Sequence, residues 1–224
     1  MDNTRRNARI AGWLYLSLMT APFSLIYVPN KLIVRDDAVA TARNISAHET
    51  MFRLSIANEL FGTVMFIFVA LALYRLFVAV DKTHAALLAL LALLSVPIAF
   101  VGTACELAAL RFLDTPDLAM LLLRIDSSAI VVSEIFWGLW LVPLGILVMR
   151  SGFLPRVLGV LLLVNAGAYV IQSLTQIVLP EYSGIVGGWM RIPETGELWM
   201  ILALLFWPIR STSAALVSPQ GALA

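Results

Sequence analysis

Two glutamates, Glu59 and Glu134, lie inside long apolar stretches of this 224-residue sequence. An ionisable side chain within a membrane-spanning segment is costly to desolvate, so it is a functional-site candidate by default. Glu59 precedes Arg75 by the same number of residues as Glu134 precedes Arg150. At the rise of an α-helix, each acid lies about 24 Å from its arginine. The spacing therefore predicts that the two carboxyl groups lie at one depth.

A facing pair of carboxyl groups has a defined chemistry. Low dielectric and like charge disfavour two ionised acids side by side, so we expect at least one to carry a proton at neutral pH. The pair would titrate as a unit, and it could supply the acid and the base of a membrane-embedded hydrolase or isomerase. The alternative role is structural, because polar side chains tie membrane helices together by hydrogen bonds of about 0.6 kcal/mol each.

Other polar residues extend this predicted site. Gln172 falls at the depth of the two glutamates by the same measure, and Asn165 and Tyr169 lie one to two turns deeper. The candidate ligand-binding residues are Glu59, Glu134, Asn58, Gln172, Tyr169, Asn165, Ser24 and Glu106. They predict a funnel-shaped polar pocket in the outer half of a helix bundle. The charged residues expected at the interface, in contact with headgroups or with one another, are Arg53, Arg111, Arg124 and Asp126.

Composition limits the class of protein. Hydrophobic residues make up 61% of the chain and charged residues 13%, against about 45–50% and 25% in soluble domains. The formal net charge of +1 offers no basic surplus for a nucleic-acid partner. A single cysteine, Cys105, and two separated histidines, His48 and His84, cannot form a histidine-rich metal site. We therefore expect no metal and no cofactor.

Six apolar runs are long enough to cross a bilayer, for which about 20 residues are needed. They cover approximately residues 10–27, 46–80, 85–113, 115–149, 155–179 and 195–215. Ser46 and Glu49 fit a capping box at the start of the second helix. Residues 181–194 are expected to form a loop or a re-entrant segment. The predicted fold class is an all-α, six-transmembrane-helix bundle, with the first span uncleaved.

The distribution of basic residues sets the expected topology. Arginines and lysines at one end of the spans lie in short segments, which favours a cytoplasmic location for both termini. The expected organisation is a cytoplasmic segment over residues 1–9, one transmembrane domain over 10–217 and a cytoplasmic tail over 218–224. Arg210, near one end of the sixth helix, is expected to reach the interface.

Several sequence blocks resemble a known bacterial family. They are Ala8 to Gly12, Pro22 to Pro29, Asn44 to Arg53, Leu73 to Leu76, Phe136 to Gly145 and Ser151-Gly152. The chain resembles the membrane family catalogued as domain of unknown function 4386 from about Ala8 to Trp207. The resemblance implies a six-helix protein of the bacterial inner membrane, and it implies no activity or catalytic residue.

We expect a binding or sensing protein of the bacterial plasma membrane whose ligand is a lipid or another amphipathic molecule. An enzyme that uses Glu59 and Glu134 is the alternative, and a small proton-coupled carrier is the third hypothesis. The nearly apolar inner half argues against transport. Membrane lipids are the expected partners, and homo-oligomerisation is left open.

Overall fold

The molecule is built almost entirely from helices. A computed structural model describes residues 3–208, apart from the side chains of residues 191–194. Within that range the chain contains no strands. The α-helices are α1 (Asn3–Ser17), α2 (Val28–Leu32), α3 (Ala38–Ala47), α4 (Glu49–Phe77), α5 (Lys82–Ala109), α6 (Pro116–Ser151), α7 (Arg156–Val178), α8 (Ser183–Glu194) and α9 (Gly196–Phe206).

Five helical segments are long and apolar enough to cross a membrane, which makes this chain a membrane protein. They are Asn3–Leu32, Glu49–Phe77, Lys82–Ala109, Pro116–Ser151 and Arg156–Val178. The first combines α1 and α2 with a 3₁₀ turn at Leu18–Thr20 and a π-helical turn at Phe23–Tyr27. The expected sixth span is α9 in the described residues, and α9 is shorter than a span.

Local sequence signals explain several helix ends. Asp81 precedes α5 and accepts hydrogen bonds from the backbone N–H groups of Thr83 and His84. Pro116 opens α6 after Thr115, as predicted, at a position where the missing N–H costs nothing. Gly152 ends α6 with a φ of 69°, a left-handed conformation that glycine adopts without strain.

The predicted capping box at Ser46 is wrong. Ser46 lies inside α3, and α4 begins at Glu49 after a break at His48. The helix α3 starts early because the side chain of Asp37 caps it by accepting from the Ala40 N–H at 2.8 Å. The side chain of Asn44 also donates to the Leu32 carbonyl at 3.2 Å, which fixes α3 against the end of α2.

Residues 181–194 are expected to form a loop or a re-entrant segment, and they are helical over Ser183–Glu194, which forms α8. The helix α8 lies beside α7, where a Cβ on Gly187 would be 3.8 Å from Gln172 Oε1.

Further along the chain, α9 runs antiparallel to α1. Tyr15 hydrogen-bonds Glu197 at one end of this contact, and Arg9 donates to the Leu204 carbonyl at the other. Arg210 and the tail from 218 lie outside the described residues.

The buried apolar residues form two groups. The larger surrounds Trp140, whose ring packs edge-on against Phe66 at 5.0 Å between centroids. The smaller group lies near the α5–α6 turn and includes Phe52, Ile56 and Leu123. Between the two groups lies a layer of buried polar side chains on α4, α5 and α6.

Candidate functional site

Three neighbouring helices bring acidic side chains to one point inside the bundle. Glu59 comes from α4, Glu106 from α5 and Asp126 from α6. One carboxylate oxygen from each residue lies within 4.8 Å of the corresponding oxygens of the other two. Glu106 is 3% exposed and Asp126 is 6% exposed, while Glu59 is half-buried. We call these three residues the carboxylate cluster.

Helical spacing explains how each helix contributes to the cluster. Gly102 and Glu106 lie four residues apart on α5, so they share one face of that helix. The missing side chain at Gly102 makes room for Asp126, since a Cβ there would lie 2.6 Å from Asp126 Oδ1. On α4, Ser55 lies one turn before Glu59 on the same face and is 1% exposed.

Hydrogen bonds inside the cluster leave several oxygens without partners. The Thr103 hydroxyl donates to Glu59 Oε1 at 2.8 Å, and it also lies 2.9 Å from the Ala99 carbonyl. Glu106 faces Glu59, with one carboxylate oxygen of each within 4.8 Å of the other. Glu106 Oε2, Asp126 Oδ1 and Ser55 Oγ are buried and have no hydrogen-bond partner.

The cluster also lacks a compensating basic residue in the described part of the chain. Among the side chains that the structure describes, no arginine, lysine or histidine forms an ion pair with any of its three members. Two arginines close to the cluster in sequence have other partners, because Arg53 pairs with Glu49 and Arg124 pairs with Asp36. Buried carboxylates without a cationic partner are stable only when protons or a bound cation neutralise them. The arrangement is therefore suited to holding positive charge.

The expected pairing of Glu59 with Glu134 is wrong, since the acid that faces Glu59 is Glu106. Glu134 has partners on α7 instead. Gln172 donates to its Oε1 at 3.3 Å and Gln176 donates to its Oε2 at 2.8 Å. The two glutamates therefore have different partners on different helices. Gln172, expected at the depth of the two glutamates, is in contact with Glu134.

The remaining predicted site residues are distributed over two other contacts. Asn165 donates to Glu197 Oε1 at 3.4 Å, and Tyr169 also hydrogen-bonds Glu197, so these two side chains join α7 to α9. Asn58 donates to Ser24 Oγ at 2.9 Å and joins α4 to the π-helical turn. Both contacts join neighbouring helices by hydrogen bonds. This is the structural role that was the alternative for polar groups between membrane helices. The predicted single polar pocket is thus divided into separate clusters.

Sequence reasoning missed Asp126 and the side chains that support the cluster. Asp126 was expected at the interface, whereas it lies ten residues inside α6, about 15 Å from the start of that helix. That count was available from the sequence and could have indicated a buried position. Ser55 and Thr103 had no such signal, because isolated hydroxyl residues are common in apolar helices and usually bond their own backbone.

The helical architecture and the buried carboxyl groups together define an integral membrane protein with an acidic site enclosed between its helices. The chain belongs to the family described as Domain of unknown function (DUF4386), whose family model matches residues 10–207. This match confirms the resemblance noted in the sequence. No curated protein and no solved structure matches the chain.

Proposed function

We propose that this membrane protein binds a cation between its helices and that the carboxylate cluster is the binding site. One observation carries the proposal: Glu59, Glu106 and Asp126 present oxygens within 4.8 Å of one another inside the bundle, and no described basic side chain forms an ion pair with them. The unpaired oxygens on Glu106 and Asp126 supply lone pairs that a cation can accept. The ligand of the site is therefore a positively charged species rather than the lipid expected from the sequence.

Electrostatics supports a cation over a neutral ligand. Removing a carboxylate from water costs several kcal/mol, and this cost is offset only when an opposite charge or a proton is close. A bound cation contacts all three carboxyl groups at once and so compensates them together. Proton binding alone satisfies the charge but leaves Glu106 Oε2, Asp126 Oδ1 and Ser55 Oγ without partners.

Thermal unfolding of the purified protein in nanodiscs tests this function. After treatment with a chelator, the protein is titrated with Na⁺, Mg²⁺, Ca²⁺ and a quaternary ammonium ion. At least one cation should raise the Tm of the wild type, because ligands that bind only the folded state stabilise it. Glu106→Gln should abolish this increase, whereas the matched control Glu134→Gln, a buried acid outside the cluster, should retain it. No Tm increase with any of these cations would overturn the proposal.

A second candidate function is the binding of an anionic phospholipid. A groove of about 250 Å³ between α1 and α4 is lined by apolar side chains, with Asn7 and Arg75 among its lining residues. Apolar walls suit an acyl chain, and the exposed Arg75 is complementary in charge to a phosphate headgroup. Arg5 and Arg6 add positive charge at the same end of α1. The ligand of this second site would be a lipid, as the sequence hypothesis expected, but it would bind in the groove between α1 and α4 and not in the predicted polar pocket.

Native mass spectrometry of the purified protein tests the lipid site. Arg75→Gln should reduce the fraction of protein that carries phosphatidylglycerol. The control Arg156→Gln removes an equally exposed charge from the start of α7 and should leave that fraction unchanged. Equal retention of phosphatidylglycerol by both variants, or equal retention of phosphatidylcholine by the wild type, would contradict a headgroup-specific site.

The proposed setting is the bacterial plasma membrane, with six crossings and both termini in the cytoplasm. Support for a sixth crossing comes from α8 and α9, which follow one another along α7 and cover Ser183 to Phe206. A continuous helix of that length would extend about 36 Å, enough for the hydrocarbon core. The contact of Arg9 with the Leu204 carbonyl places the end of α9 beside the beginning of α1.

A further inference from the structure

We infer that the cation of the carboxylate cluster is a divalent ion of calcium size, coordinated by Glu59, Glu106 and Asp126 with the Ser55 hydroxyl as a fourth ligand. The inference rests on the proposed function and names the class of its ligand. Four properties of the site limit which ions it can bind: the donor type, the spacing of the ligands, their charge and the unpaired hydroxyl of Ser55.

Donor type excludes the softer metals. All three acidic ligands offer oxygen, which is the donor that Ca²⁺, Mg²⁺ and Mn²⁺ prefer, whereas zinc and copper sites are usually built from nitrogen and sulfur. Cys105 is adjacent to Glu106 in sequence, but consecutive residues on a helix do not face the same point. The cluster is therefore a site for a hard cation.

The spacing of the ligands favours the larger hard cations. Two oxygens that touch one ion cannot be further apart than twice the ion–oxygen distance. That limit is about 4.6–5.2 Å for Ca²⁺ and about 4.2 Å for Mg²⁺. Each pair of cluster oxygens lies within 4.8 Å, a separation that an ion of calcium size can bridge. Mg²⁺ also retains several water molecules, and the nearly complete burial of Glu106 and Asp126 leaves little space for them.

The charge of the site favours a divalent over a monovalent ion. Three ionised carboxylates carry three negative charges, of which Na⁺ or K⁺ neutralises one and a divalent ion neutralises two. Because uncompensated charge is expensive in a low-dielectric interior, the divalent ion gains the larger interaction energy.

Ser55 supplies an observation independent of the acidic residues. Its hydroxyl is 1% exposed, has no hydrogen-bond partner and lies one turn from Glu59 on the same face of α4. Buried polar groups usually have partners, so an unpaired hydroxyl one turn from Glu59 supports a ligand or an ion at this point of α4. As a neutral oxygen donor, Ser55 raises the coordination number without adding negative charge.

Metal competition on the wild-type protein tests the inference without requiring any variant to fold. The protein in nanodiscs is titrated calorimetrically with Ca²⁺, Mg²⁺, Zn²⁺ and Na⁺, each as its chloride. Ca²⁺ should bind at least about tenfold more tightly than Mg²⁺, in line with the radius argument. Tighter binding of Mg²⁺, Zn²⁺ or Na⁺ would overturn the inference while leaving cation binding intact. If none of the four binds, the proposed function fails as well.

Matched serine variants test the named ligands. Ser55→Ala should weaken Ca²⁺ binding about tenfold, the loss expected for one neutral donor or supporting group. Ser133→Ala is the control, because Ser133 is an equally buried serine with an unpaired hydroxyl on α6 and is not among the proposed ligands. Equal Ca²⁺ affinity in the wild type and Ser55→Ala would remove Ser55 from the site. Unchanged Ca²⁺ binding by Asp126→Asn would overturn the assignment of the site.

Discussion

The carboxyl group of Asp126 lies against the backbone of Gly102, in space that any other residue at position 102 would occupy. A Cβ at position 102 would be 2.6 Å from Asp126 Oδ1 and 3.3 Å from the Cβ of Ala129. This close approach of α5 and α6 is what brings Asp126 to Glu106. The glycine thus determines the geometry of the carboxylate cluster without contributing a ligand.

Gly102→Ala should therefore impair cation binding more than folding. The atom that the new methyl group meets first is the end of the Asp126 side chain, which can rotate away, while Ala129 Cβ at 3.3 Å has to shift only slightly. We expect Ca²⁺ affinity to fall by about tenfold or more, since the ligand set is displaced, with only a small change in Tm. Gly62→Ala on α4 is the control, because no atom lies within 4 Å of its Cβ position. A folded Gly102→Ala protein with unchanged Ca²⁺ affinity would contradict this prediction.

Gly159→Ala should separate α6 from α7. A Cβ at Gly159 would lie 2.6 Å from the Gly145 carbonyl oxygen, and one at Gly145 would lie 2.8 Å from the Gly159 carbonyl oxygen. Backbone atoms cannot yield as a side chain can, so we expect a loss of about 1–3 kcal/mol in the free energy of unfolding. Equilibrium unfolding in SDS and mixed micelles measures it. Gly167→Ala on α7, which meets nothing within 4 Å, should be neutral, and equal stability of the two variants would refute the packing argument.

Tyr15→Phe should destabilise the contact between α1 and α9. The Tyr15 hydroxyl donates to Glu197, which also receives hydrogen bonds from Asn165 and Tyr169. Loss of one donor to a carboxyl group inside the bundle should cost roughly 1–3 kcal/mol. The exposed Tyr27 offers the same substitution on the same segment and should show almost no effect. SDS unfolding again provides the measurement, and a neutral Tyr15→Phe would show that the other donors suffice.

Ionised Asp81 stabilises the folded chain, so the free energy of unfolding should fall when the solution is made acidic. The backbone N–H of His84 holds the pKa of Asp81 below its usual value near 3.8, with the His84 ring and the Thr83 N–H adding to the effect. The folded chain therefore binds this proton less tightly than the unfolded chain. The stabilisation is complete above the unfolded pKa and is lost as the pH falls through the folded pKa.

Two variants check this pH dependence. Asp81→Ala should lower the Tm at pH 6 and reduce the further decline of Tm between about pH 5 and pH 3. Asp117→Ala, at an exposed acid in the first turn of α6, is the control and should follow the wild-type profile. If Asp81→Ala and the wild type lose stability in parallel across this range, another group is responsible for the acid sensitivity.

Both termini should be accessible from the same side of the membrane. This expectation follows from the contact of Arg9 with the Leu204 carbonyl, which joins the start of α1 to the end of α9. Reporter fusions to Met1 and Ala224 in a bacterial host should both be active in the cytoplasm. A cysteine introduced at Asp36, between α2 and α3, should instead react with an impermeant reagent added outside the cell. Opposite locations for the two fusions would indicate an odd number of crossings.

The sequence by itself was sufficient to predict a helical membrane protein of this family. Apolar segments of about 20 residues, the caps at Pro116 and Gly152, and the family resemblance are local properties of the chain. They also identified Glu59 and Glu134 as acids within the helix bundle, because a charge within an apolar run is visible without knowledge of its neighbours. The helix α8 was not visible in the sequence, since glycine-rich segments are usually read as loops.

Only the tertiary structure decided which acids meet. Counting residues measures depth along one helix, but contact between side chains also depends on how each helix is rotated and how far neighbouring helices are shifted. Those two quantities come from packing, through close approaches such as Gly102 with Asp126 and Gly145 with Gly159. They direct Glu59 to Glu106 on α5, whereas Glu134 faces the glutamines of α7. The sequence pattern alone cannot predict which acid contacts which neighbour, because these contacts depend on the shapes of helices that are distant in sequence.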